Sequence, residues 1–430
     1  MPRPSLRHCS LFRRLRAPLA LGAAAALAIG FAACRPAEEE DDTILLEQPA
    51  DTTAAAPYWD EEDVSLSAED IERGRLDMSW REAPSIDSLV AAFKQGGARM
   101  APGGALPERK IARPESLDVD VQLPVGRQAD ERSVAAVQVL LDRSAFSPGV
   151  IDGRWGKNTE KAVFWLQRSE GLDPTGSVDS TTFAVLHEMA GRQARVLVTH
   201  RLTEEDVAGP FVRLPASVYA RAELDCLCYE SLAEKLGERF HATPAFLAEL
   251  NPGVPLDSLA AGDTLLVPAI DGAPAAGPGP VAAIVVSDQG HYLHAVDSAG
   301  VILFHFPTTL GSRYQPSPTG EFEVRSVHHD PWFHWQPALL EGVPDDEPTT
   351  RLPPGPNSPV GKVWIGLSIA HYGIHGTNEP ATIGYATSSG CVRLTNWDAT
   401  MLSALVAGGT PVRFRDLVDG AEIAAAPDPR

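Results

Sequence analysis

Cysteine is scarce in this chain, with five in 430 residues. So few thiols, spread from Cys9 to Cys391, exclude a disulfide scaffold as the source of stability. Basic residues are also in short supply: 36 Lys and Arg stand against 57 Asp and Glu, for a net charge of −21. That balance excludes nucleic acid as a partner, because affinity for it comes from basic groups displacing counterions. Long apolar runs are missing apart from Ala17–Ala33, which is too short and too rich in alanine to favour a stable membrane span. Metal-ligand spacing is missing as well. His328, His329 and His334 cluster, but no further ligand follows at matching spacing, so neither metal nor cofactor is expected.

What the chain has instead is proline and glycine, 37 and 36 residues, which indicate long connections between modules. Its length allows two to four domains. Residues 1–34 read as a targeting segment, with Arg3, Arg7, Arg13, Arg14 and Arg16 ahead of the apolar run. The run ends in Phe31–Ala–Ala–Cys34, which resembles a bacterial lipobox and implies lipidation of Cys34 after cleavage. A plain secretory signal cut near Ala33, or a retained anchor, are the alternatives. The expected location is outside the cytoplasm, in the periplasm or cell envelope, held to a membrane by lipid. Residues 35–125, opening with Glu38–Glu–Glu–Asp–Asp42, are too acidic and too rich in Pro and Ala to fold, and read as a disordered tether.

Residues 126–192 carry helical spacing in Val134, Val137, Leu140 and Leu141, then Val163, Phe164 and Leu166, then Phe183 and Leu186. Between the first two helices lies Asp152–Gly–Arg–Trp155–Gly–Lys–Asn–Thr159, a tight turn in which Asn158 or Thr159 can cap the next helix. This block resembles the three-helix peptidoglycan-binding domain, on Asp152, Gly153, Trp155, Gly156, Thr159, Val163, Leu166 and Gln167. Asp152 and Trp155 are its candidate wall-binding residues; the alternative is that they only hold the turn. Residues 215–270 read helix–helix–strand and resemble the later part of a LysM glycan-binding module. The usual opening strand is not recognisable, and Leu224–Asp–Cys–Leu–Cys228 stands where it is expected, so a structural spacer is the alternative reading. Cys226 and Cys228 lack a second ligand pair, and either join to each other or pair between chains in an oxidising compartment.

Residues 271–280 are a linker by composition, and from 281 to 417 the pattern changes to short strands with a single helix near Asp398–Ala407. Residues 418–430 are a tail. In the β module, His375 precedes Cys391 by sixteen residues, with glycine beside each. A cysteine reacts as its thiolate, so it needs a base nearby, and backbone N–H groups at a glycine-flanked thiol can face a developing oxyanion. On spacing alone a buried inert cysteine remains as good a reading.

The full motif is more specific. His375–Gly–Thr–Asn–x–Pro380–x–x–Ile383–Gly–x–Ala386–x–Ser388–x–Gly390–Cys391–x–Arg393 resembles the catalytic domain of L,D-transpeptidases of the YkuD type, as does Ser317–Pro–Thr–Gly–Glu–Phe322. The fold class implied is multidomain α+β: a small three-helix domain, a small LysM-like α/β module and a mainly-β YkuD-type catalytic domain. The resemblance implies that Cys391 attacks the third-residue carbonyl of a peptidoglycan tetrapeptide stem and expels D-alanine. It implies that His375 carries the proton and is oriented by the Gly376 carbonyl, with Ser389 and Gly390 in the oxyanion hole. Arg393, Ser388 and Tyr372 are the implied substrate-binding residues, and Tyr385 is pocket wall or packing. Transfer to a second stem gives a 3→3 cross-link. Transfer to water or to an outer-membrane lipoprotein is a further alternative, and a noncatalytic wall-binding scaffold is an alternative of another class. The implied partners are peptidoglycan stem peptides and glycan.

Overall fold

A computed structural model describes residues 119–191, 195–270, 280–340, 343–344 and 346–415. The leader with Cys34, nearly all of the tether and linker, and the tail lie outside these residues. All described residues belong to one compact unit. Among them, no helix is long and apolar enough to cross a membrane.

The described residues open with three helices, α1 (Glu131–Arg143), α2 (Lys157–Ser169) and α3 (Ser180–Met189). Asp130 and Asp179 cap α1 and α3 by accepting from the N–H groups of Ser133 and Thr182. The middle helix departs from the expected pattern. Its N-cap is Gly156 and has no side-chain bond, while Asn158 and Thr159 lie inside the first turn. Asn158 instead donates from Nδ2 to the Ile383 carbonyl (2.8 Å), and the Tyr385 hydroxyl meets the N–H groups of Asn158 and Lys157. A residue 227 positions further along the chain does the work of the cap.

Next come β1 (Leu197–Arg201), the short helices α4 (Glu204–Val207) and α5 (Val218–Ala222), then α6 (Leu232–Arg239), α7 (Pro244–Leu250) and β2 (Thr264–Pro268). The strands β1 and β2 pair antiparallel from Leu197↔Pro268 to Arg201↔Thr264. A strand–helix–helix–strand unit therefore exists, but its opening strand lies ahead of residue 215. The segment between β1 and α6 is an insertion that hides the pairing from a local reading. Within it Cys226 and Cys228 form a disulfide with each other. The Leu227 backbone between them exchanges hydrogen bonds with Pro354 O and Asn357 N, both 2.9 Å.

The remaining elements are β3 (Ala283–Ser287), β4 (Tyr292–Val296), β5 (Ile302–Pro307), β6 (Leu310–Gly311), β7 (Gly320–His329), β8 (Phe333–Trp335), β9 (Thr350–Leu352), β10 (Val363–Leu367), β11 (Gly373–His375), β12 (Thr387–Ser388), β13 (Val392–Arg393), α8 (Asn396–Ser403) and β14 (Pro411–Arg415). Eight strands form one sheet in the order β13-β11-β10-β7-β14-β3-β4-β5. Its core includes Ile284, Leu293, Phe304, Ile365, Ile374 and Val392, all nearly solvent-free. The expected helix over 398–407 instead spans Asn396–Ser403, with Thr395 as its cap through the Asp398 N–H.

The modules are not beads on a string. One continuous core joins the three helices to the strand–helix–helix–strand unit, running from Leu140 and Trp165 to Leu236 and Phe246. Backbone bonds stitch the seams: Ile151 N donates to His241 O (2.7 Å) and Ser147 N to His305 O (2.9 Å). Lys161, on α2, is buried and donates from Nζ to the carbonyls of Gly290 and His291 beside β4. Burial pushes its ammonium down to about 7.

At the junction of all three modules, Ser147 donates to the Asp398 carboxylate (2.9 Å), and Trp397 stacks on His241, which is bonded to Asp142. Burial, followed by the nearby charge of Asp142, raises Asp398 to about 7. The folded value exceeds the ordinary 3.8, so the native state binds this proton more tightly than the unfolded chain. The stabilisation is complete below about pH 4 and disappears as pH rises through about 7. Asp398→Asn removes this titration. Its stability relative to the unsubstituted protein is expected to climb between about pH 4 and pH 8, by as much as about 4 kcal/mol. Urea unfolding at both ends of that range checks it; a constant difference would refute the assignment.

Candidate active site

The site is built on three adjacent strands at one edge of the large sheet. The strands β10 and β11 run antiparallel with Trp364 opposite His375, while β11 and β13 run parallel with His375 beside Arg393. Registered residues share a face, and so do residues two apart along a strand. Cys391 immediately precedes β13, the strand that lies beside the one carrying His375. The Trp364 and His375 rings stack with centroids 5.4 Å apart and planes 18° apart. Trp364 also fills the space a side chain would need at Gly373.

His375 is 4% exposed. Its Nδ1 lies 2.6 Å from Gly376 O, and because a carbonyl only accepts, that nitrogen bears the hydrogen. The lone pair is left on Nε2. Burial, then the positive charge of Arg393, drives the imidazole down to about 3, against the pull of the Gly376 bond. It is an uncharged base over the whole neutral range.

Cys391 is the free cysteine among the described residues and is half-buried. Its thiol donates to His371 O at 3.6 Å, and no hydrogen bond joins it to the imidazole. His371 has a φ of 68°, a left-handed backbone uncommon for a non-glycine residue. Burial raises the thiol above its ordinary value, opposed by the Gly373 N–H and then by Arg393. The resting pair is thus thiol and neutral imidazole rather than thiolate and imidazolium.

The turn before Cys391 is tied by its own side chains. Ser388 donates to Cys391 O (2.6 Å) and accepts from Gly390 N (3.1 Å), while Ser317 donates to Gly390 O (2.9 Å). Two of the residues expected at the site have hydrogen bonds within this turn. Ser388 is 4% exposed, and its hydroxyl is bonded to the backbone of Gly390 and Cys391. The Gly390 N–H, expected in the oxyanion hole, already has the Ser388 oxygen as its acceptor. Ser389 is half-buried beside them. At Gly390 φ is 105° and the Tyr372 ring occupies the space a Cβ would take, so only glycine fits. Tyr372 is half-buried, and its hydroxyl is raised by burial and then by the proximity of Cys391. The Arg393 guanidinium, held below its ordinary value by burial, sets its charge against Cys391 and Glu379.

The candidate wall-binding residues lie elsewhere, in the turn before α2. Asp152 accepts from Gln138 Nε2 and Arg154 N, both 2.9 Å, so its carboxylate holds the turn. Trp155 packs half-buried against the shared core. Trp364 and His371 were not singled out by sequence reasoning. The alternation of β10, in which Trp364 and Gly366 face opposite to Val363, Ile365 and Leu367, is the signal that finds the first. Nothing local marks the carbonyl of the second.

These protonation states set the expected reactivity. Iodoacetamide alkylation of Cys391 should rise about tenfold per pH unit up to at least pH 9, with no plateau near neutrality. Arg393→Gln should slow it further at every pH, since the charge that favours thiolate is gone. Mass spectrometry of the intact protein follows both; a plateau near pH 7 would overturn the thiol assignment.

Residues 282–414 match the L,D-transpeptidase catalytic domain YkuD, and residues 130–186 match a peptidoglycan binding domain. The proposed L,D-transpeptidase YkuD of Bacillus licheniformis is 30% identical over 182 residues, covering 42% of this chain and 90% of that protein. Its namesake in Bacillus subtilis is 29% identical over 173 residues, covering 40% and 87%. YbiS of Escherichia coli, named a probable L,D-transpeptidase, is 45% identical over 67 residues, covering 15% and 21%. With residues 282–414 matching that domain and 90% of a relative covered at 30% identity, the chain belongs to the L,D-transpeptidase family.

Proposed function

We propose that this protein is a peptidoglycan L,D-transpeptidase that uses Cys391 as nucleophile and His375 as base. The observation that carries the reading is the Nδ1-bonded, uncharged imidazole at the end of β11, beside the strand β13 that Cys391 immediately precedes. In the reaction the thiol turns from His371 O toward Nε2 and gives up its proton as sulfur attacks the third-residue carbonyl of a tetrapeptide stem. The N–H groups of Ser389 and Cys391 stabilise the oxyanion. The imidazolium then protonates the departing D-alanine amine. A side-chain amine of a second stem attacks the thioester, giving the 3→3 cross-link, and its proton returns through His375 and the thiol. Arg393 steadies the thiolate as it forms, and Tyr372 walls the acyl pocket beside Gly390. No step calls for a metal or cofactor.

The three-helix domain directs the enzyme to peptidoglycan. Its Trp155 is the better candidate for contact with the wall, since the Asp152 carboxylate is engaged internally. The strand–helix–helix–strand unit has the element order expected of a LysM module, and its extensive burial against both neighbours supports a bracing role. Two domains that act on the wall support a place outside the cytoplasm, where lipidation at Cys34 would tether the chain.

Incubation with disaccharide-tetrapeptide, analysed by mass spectrometry, should yield cross-linked dimers that have lost one D-alanine. Cys391→Ala should yield none, and His375→Ala should lower the rate at least a hundredfold. Tripeptide monomers alone would replace the reading with a carboxypeptidase; equal turnover by Cys391→Ala would refute it.

A further inference from the structure

Beneath His375 runs a chain of hydrogen bonds that leaves the catalytic domain. Gly376 O accepts from His375 Nδ1, and the same peptide group presents the Thr377 N–H on its other side. That N–H donates to Asn396 Oδ1 at 3.2 Å, as does Lys362 N at 3.1 Å. Asn396 Nδ2 in turn donates to Glu238 Oε2 at 2.8 Å, across 158 positions of sequence. Glu238 sits on α6, in the strand–helix–helix–strand unit, and its other oxygen accepts from the Tyr229 hydroxyl at 2.9 Å.

The direction of every link is forced. Backbone N–H groups only donate, so the Asn396 oxygen must face Thr377 and Lys362, and its NH₂ must face the carboxylate. Neither Gly361 nor Gly376 could carry a side chain, because the Asn396 oxygen occupies that space. The carboxamide is therefore wedged under the peptide plane whose carbonyl selects the tautomer of His375. Burial raises Glu238, while the bonds from Asn396 and Tyr229 draw it back down and hold it as an acceptor.

We propose that Glu238 and Asn396 are positioning residues for the reaction, so that the noncatalytic unit supplies the distant carboxylate that orients and polarises His375 through two amide groups. A carboxylate bonded directly to a catalytic histidine fixes its tautomer and strengthens it as a base. Here the same influence passes along Glu238, Asn396 and the 376–377 peptide, each bond polarising the next in a water-poor interior. The strand–helix–helix–strand unit is thereby part of the catalytic apparatus. This inference rests on the proposed role of His375 as base.

The full chain, labelled with ¹⁵N-histidine, tests it beside Glu238→Gln, which keeps the shape and removes the charge. In the unsubstituted protein, His375 should show the Nδ1–H tautomer in its ring shifts; an Nε2–H form overturns the proposal without any variant. Glu238→Gln should lower kcat for D-alanine release about tenfold with KM unchanged, and displace the His375 ring shifts. Wild-type kcat, a change confined to KM, or a lower kcat with unmoved ring shifts would each overturn it. Cys391→Ala runs in parallel. If it releases D-alanine at the wild-type rate, the thiol mechanism itself falls, whereas an inert Cys391→Ala beside an unaffected Glu238→Gln removes only the relay.

Discussion

The imidazole at position 375 is buried, uncharged and bonded through one nitrogen to a single carbonyl, and the architecture around it follows from keeping it there. An imidazole in water titrates near neutrality and turns freely. Stacked under Trp364 and closed in by the sheet, it stays neutral, so Nε2 keeps its lone pair at physiological pH. The cost appears at the other partner. The same dry surroundings disfavour the thiolate, and only the Gly373 N–H and the Arg393 charge work against that. Keeping both groups neutral avoids burying an ion pair, whose desolvation penalty can outweigh its attraction. Charge is created only when the proton moves.

Holding this arrangement takes more than the catalytic domain. The segment between His375 and Cys391 is held near its start and at its middle by contacts that reach into the other modules. Asn158 and the N-terminus of α2 hold Ile383 and Tyr385, and Asn396, backed by Glu238, holds Thr377. A loop anchored this way loses little entropy when substrate arrives, which favours a pre-organised site. The continuous core shared by the two smaller modules gives those anchors a rigid base. Architecture that looks like three separable domains in the sequence behaves as one framework around the segment from His375 to Cys391.

The disulfide between Cys226 and Cys228 belongs to the same framework. It shapes the turn whose Leu227 backbone is bonded to Pro354 and Asn357, in the loop that leads into β10. Asn357 reaches further, donating from its side chain to Cys228 O at 3.0 Å, and the close approach of the Leu227 backbone to Gly355 leaves no space there for a side chain. The insertion that carries this turn is thus the means by which the small unit grips the catalytic domain's long surface loop.

The sequence by itself determined the elements and the motif that holds His375 and Cys391. Helical spacing in α1 to α3, the short strands of the β module and the His375-to-Cys391 motif are all local, because side-chain periodicity and tight glycine turns are written within short stretches of chain. Only the tertiary structure decided which partners those residues have. The pairing of β1 with β2 spans an insertion, the cap of α2 comes from Tyr385, and Glu238 meets Asn396 across 158 positions. None of these leaves a periodic trace, since a polar residue destined for a buried bond looks like a surface residue until its partner arrives. Ser388 and Gly390 show the same limit inside the motif. Their residue types were legible, but their hydrogen bonds were set by how the turn closed on itself, and that closure depends on the strands packed around it.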